Sequence, residues 1–92
     1  MSLRRYWIKF DQHPNSRAIG TGLGCGVTAF SYEDALDLLQ DKVFTEKPIP
    51  PVLSVIEDVD VSTLDADHVR PNMGNPLKRG IWFPLAYAEK TW

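Results

Sequence analysis

Ninety-two residues with 43% hydrophobic and 24% charged side chains and a formal net charge of −2 suffice for one soluble domain with a single modest core, burying roughly 60–65% of the unfolded surface. The slightly acidic balance speaks against a general binder of nucleic acid or anionic membranes, which carries a basic excess. One cysteine excludes an internal disulfide; no apolar run approaches the ~18 residues of a membrane span and no signal-type segment opens the chain, so a soluble cytoplasmic protein is expected.

Met1-Ser2-Leu3 reads as an extraneous leader, and the domain is expected over residues 4–84. Arg4 to Phe10 is rich in aromatic and β-branched residues and ends at Asp11-Gln12-His13-Pro14-Asn15-Ser16, which predicts a strand and a loop. Tyr6, Ile8 and Phe10 share one face, the expected core face. Arg5, Trp7 and Lys9 share the other, where Trp7 is placed to cover glycines of a paired neighbour.

Glycine then occupies every second position from Gly20 to Gly26. In an extended chain this leaves one face bare, while Thr21, Leu23, Cys25 and Val27 fill the other. The expectation is the second strand of a hairpin, running to Phe30, with the protein's own rings seated on the bare face. A glycine-rich loop leading only a short strand, Cys25 to Phe30, is the alternative. Ser31 is a helix cap and Glu33 and Asp34 suit a first turn. Tyr32, Ala35, Leu36, Leu39 and Val43 recur at helical spacing, which predicts a helix from Tyr32 to about Val43. Pro48-Ile49-Pro50-Pro51 cannot continue it.

Val52 to Asp58 reads as a strand whose unbroken apolar character suggests an internal position. Ser62-Thr63-Leu64-Asp65 predicts a cap on one helical turn reaching about His68. A turn-rich loop follows through Pro76, then a last strand over Lys78–Phe83 and a tail, Leu85 to Trp92, that forms a helical turn or stays disordered.

The element order, with a proline-rich exit after the helix, resembles the β-grasp arrangement of ubiquitin-like domains. The resemblance implies an α+β fold in which a small mixed or antiparallel four-stranded sheet packs on one helix, with the first and last strands as neighbours. The chain ends in Lys90-Thr91-Trp92 and not in the Gly-Gly of conjugated ubiquitin-like proteins, so conjugation is not implied. Separately, the segments Glu57–Asp65, Arg70–Gly74 and Arg79–Pro84 resemble small bacterial proteins of uncharacterised function, which carries no activity across.

Four constellations are candidates for chemistry. Gly24-Cys25-Gly26-Val27-Thr28-Ala29 fits the loosest dinucleotide fingerprint, but the strand before it, the helix within it and the full βαβ unit are missing. Cys25 is a candidate nucleophile with His13 or His68 as base, against the plainer reading of a small core residue. Glu57, Asp58, Asp60, Asp65, Asp67 and His68 crowd one region; Asp58, Asp60 and Asp65 are the candidate metal ligands. Thr63 replaces the turn glycine of a calcium loop and Val69 its bidentate glutamate, so capping carboxylates on a solvated edge are expected instead. Finally, Arg5, Trp7, Arg70, Asn72, Lys78, Arg79 and Trp82 combine cations and rings, the residue types that anchor protein interfaces and stack single-stranded nucleic acid.

The function these residues imply is a small non-enzymatic module that docks a protein partner through a sheet surface or edge, without a cofactor. An edge strand pairing with its own copy gives a homodimer. The alternatives are a ligand or single-stranded nucleic-acid binder on the Trp/Arg surface, and then a thiol-dependent enzyme using Cys25 and His68.

Overall fold

The protein is described by a computed structural model over residues 2–11, 22–45 and 47–88. Strand β1 spans Arg4–Phe10, β2 Cys25–Ala29, β3 Val52–Glu57 and β4 Gly80–Phe83, with one helix, α1, at Tyr32–Lys42. The fold is α+β: a four-stranded sheet, ordered β3-β1-β2-β4, packs on the helix. All three pairings are antiparallel.

Helix α1 begins where the sequence places it. Ser31 is extended (φ −156°, ψ 169°) and its side chain accepts from the Asp34 amide at 3.1 Å, satisfying one of the free amides of the first turn. The predicted apolar stripe turns inward: Ala35, Leu39 and Val43 are buried with Tyr6, Ile8 and Phe10 of β1 and Cys25, Val27 and Ala29 of β2. Tyr32 and Leu36 pack at the margin of the same cluster.

The other face of the sheet is also covered. Because β3 and β4 lie at opposite edges, the segment between them must cross the sheet. It does so with two short 3₁₀ turns, Val61–Thr63 and Arg70–Asn72, and lays Val59 and Val69 over Trp7, Trp82 and Phe83. Backbone bonds fasten both ends: Val59 N–H donates to the Arg5 carbonyl at 3.0 Å and Gly74 N–H to that of Trp82 at 2.6 Å. The sheet is thus sandwiched between a helix and an irregular strap.

Four expectations need adjusting. The first and last strands are not neighbours, as β2 lies between them; the helix follows a hairpin and β3 returns antiparallel beside β1, outside that hairpin. The strand in the glycine run starts only at Cys25, with Gly22 and Leu23 in a turn, since Gly24 sits at φ +129°, a region that interrupts an extended ladder; Gly20 and Thr21 lie outside the described residues. The expected helical turn from Ser62 to about His68 divides in two: a 3₁₀ turn at Val61–Thr63 capped by Asp60, then a single turn closed by Val69 N–H on the Asp65 carbonyl at 3.1 Å and capped by the Asp65 side chain. Strand β3 is an edge strand, not an internal one. The tail begins with a 3₁₀ turn at Leu85–Tyr87.

Candidate functional site

The bare glycine face holds two rings. An added Cβ at Gly24 would meet Trp7 Cε2 and Cζ2 at 2.9 Å, and one at Gly26 would fall among Cε3, Cζ3 and Cη2 of Trp82. Trp7 arrives from β1, where it pairs opposite Gly26, and Trp82 from β4. The indoles stack with centroids 6.0 Å apart, and Phe83 leans on Trp7 at 5.5 Å. With Trp7 4% and Trp82 1% exposed, both rings are core. They offer no stacking surface to a partner or a nucleic acid, because the glycines let them sink to the backbone.

The expected cations are dispersed rather than gathered. Arg5 Nε donates to the Val59 carbonyl at 3.1 Å, which pins the strap to β1. Arg79 lies on the helix side: its Nε donates to Asp34 Oδ2 at 2.9 Å and its guanidinium sits 5.7 Å from the Phe30 ring centroid. The hydrogen bond from Arg79 holds the Asp34 carboxyl below its usual range. Asn72 Nδ2 donates to the His68 carbonyl at 3.0 Å, a capping role. Arg70 and Lys78 are exposed.

Cys25 is fully buried in the helix-side cluster, and burial pushes its thiol up to about 12. A reactive thiol needs the opposite shift. His68 belongs to the strap on the other face of the sheet and is exposed there, so the two do not form a pair. His13 lies outside the described residues.

The acidic residues cap the strap. Asp60 accepts from the Ser62 amide at 3.0 Å and hydroxyl at 2.7 Å, and these bonds lower its pKa. Asp65 accepts from the amides of Asp67 and His68 at 2.7 and 2.9 Å, which lowers its pKa as well. Asp58 ends β3 in a left-handed conformation, φ +54°. Among the described residues no three His, Cys, Asp or Glu side chains gather as a metal site.

What stands out is the edge that the sequence hid. Leu53 is 66%, Val55 39% and Ile56 49% exposed, although strands of this composition are normally inside. Among the described residues β3 is paired on one side, to β1: Ile56 lies opposite Trp7, Val55 opposite Ile8 and Ser54 opposite Lys9. Near Phe10 the register slips, so the regular ladder covers Ser54–Glu57. Beside it a groove of about 360 Å³ opens on the strap face, walled by Ile56, Ser54, Lys9, Leu23 and Leu64 over the edge of Trp7. Lys9 carries no ion pair to a described residue, whereas Glu57 at the far end of β3 pairs with Arg4. The overlooked signal was Pro50-Pro51: proline is tolerated where a strand starts or borders solvent.

No protein-family model matches the chain, and no curated protein or solved structure matches it significantly. Among the described residues no helix is long and apolar enough to cross a membrane.

Proposed function

We propose that the protein is a small non-enzymatic interaction module that docks a protein partner by adding a strand to the β3 edge. The observation that supports it is the run of exposed apolar side chains, Leu53, Val55 and Ile56, on a strand whose outer backbone groups face no described strand. Edge strands are ordinarily blunted by charge, proline or a covering loop because they template pairing. A strand added here gains main-chain hydrogen bonds from the edge and specificity from the side chains it sends into the neighbouring groove. The groove supplies an apolar floor with one cation, Lys9, and one carboxylate, Asp65. Catalysis finds no support in the same geometry, since Cys25 is sealed and Asp60 and Asp65 are engaged in capping.

The test is a comparison of wild type with Leu53→Lys and Ile56→Lys in affinity capture, with circular dichroism as a check on the fold. Both variants are expected to stay folded and to lose the specific partner. Folded variants that still hold the partner would place docking elsewhere.

A further inference from the structure

The two layers over the sheet are built differently. On the helix side, α1 contributes Ala35 and Leu39 to a large buried cluster with β1 and β2. On the other side Trp7, Trp82 and Phe83 belong to the sheet, and the strap buries only Val59 and Val69 against them, with Val61, Leu64 and Met73 at the margin. The strap has short turns but no strand or α-helix of its own. Few hydrogen bonds between described residues hold it down. At one end Val59 N–H donates to the Arg5 carbonyl and Arg5 Nε to the Val59 carbonyl; at the other, Gly74 N–H donates to the Trp82 carbonyl and Thr28 Oγ1 to that of Pro76 at 2.5 Å.

Beneath the strap lies a polar group without a partner. Trp82 Nε1 is buried, and no acceptor among the described residues reaches it. The benzo edge of this indole rests on Gly26, so the N–H edge is turned away from that glycine. An unsatisfied buried donor destabilises the closed form, and contact with water removes the penalty.

Both ends of the strap carry a hinge. Asp58 follows β3 at φ +54° and Gly80 opens β4 at φ +139°. A Cβ added at Gly80 would meet nothing within 4 Å, so the chain turns there without collision. Hinges of this kind are a few element-end residues that absorb changes in φ and ψ. Rotation at these two lifts the segment between them and leaves the β1–β3 and β2–β4 ladders in place.

We propose that residues 59–79 form a hinged cover, which opens as a unit from a sheet and helix that stay folded. Opening uncovers the ring face of Trp7, Trp82 and Phe83 and hydrates the Trp82 indole N–H. The movement requires no partner at the β3 edge.

Hydrogen exchange followed by NMR on the full chain, at urea concentrations below the unfolding transition, tests this. Sub-global openings show there as groups of protons with a shared free energy and a urea slope below the global one. The amides of Val59, Val69 and Gly74 and the Trp82 indole N–H should share one opening. It should be at least about tenfold more populated than the opening that releases the Leu39 amide, and less steep in urea. Ala35→Gly weakens the closed and the strap-open forms alike, because the helix is intact in both. It should speed exchange at Leu39 about tenfold and leave the four strap-side protons unchanged. If that variant does not fold, Asp37→Gly on the exposed face of α1 takes its place, with a factor of about two. A single isotherm for both sets of protons overturns the proposal, and so does equal acceleration of both by the helix variant. A Trp82 indole proton that exchanges with Leu39 and not with the strap overturns it as well.

Discussion

At the β2–β4 side of the sheet both faces are sealed: Val27 and Ile81 lie under the helix, and Trp82 and Phe83 under the strap. At the β3 side the same sheet leaves Leu53, Val55 and Ile56 in solvent. The difference does not come from hydrophobicity, since β3 is as apolar as β4. It comes from what the chain has available to lay over each strand. One helix and one strap cover the middle of the sheet and the β4 margin, and nothing in the described chain reaches past β3. A domain this small has little spare surface to bury, and among the described residues none covers Leu53, Val55 and Ile56.

The sharpest way to break this contrast is to open the sealed side. Trp82→Ala should cost about 3–5 kcal/mol, a large share of the roughly 5–15 kcal/mol typical of a whole domain, read as a lower urea midpoint. Gly26→Ala should cost about 1–3 kcal/mol by overpacking against the ring. In the Trp82→Ala background the same glycine change should become nearly neutral, and an additive double mutant would show that the ring does not rest on Gly26.

A middle-sized effect reports on the helix side. The folded Cys25 thiol titrates near 12 but ionises near its ordinary value when unfolded. Its contribution is therefore fully present below about pH 8.5 and lost as pH rises towards 12, at about 1.4 kcal/mol per unit. Urea titrations between pH 8 and 10 should show that slope in wild type and not in Cys25→Ala. Iodoacetamide should label native Cys25 slowly and unfolded chain readily; rapid native labelling would mean that the core is not closed.

The smallest effect belongs to the open side. Ile56→Lys should shift stability by less than about 0.5 kcal/mol, as exposed positions usually do, while weakening association. A large loss of stability would mean that Ile56 is structural and that the two sides of the sheet are not so different.

Helix α1, the β1–β2 hairpin and the two tryptophans over glycines were legible because each is written in local pattern: a cap and a stripe, alternation, and a ring offered opposite a residue without a side chain. The identity of the outer strand was not. Val52–Glu57 is apolar at both parities, the mark of burial on two faces, and only the strand order reveals that β3 has a neighbour on one side. Likewise Arg79 and Arg5 look alike in sequence, but Asp34 draws one to the helix and the Val59 carbonyl fixes the other to the strap. Sequence spacing does not tell which surface a loop delivers its charges to.

The seat of Trp82 on Gly26 binds two positions that stand far apart in the chain. Neither can drift alone, since a side chain at 26 meets the ring and a smaller residue at 82 leaves a hole. Chains that descend from this one and keep its fold should therefore retain the glycine with the indole, or exchange both together for a larger residue at 26 and a smaller one at 82. In an alignment of such chains, that pair should change in step.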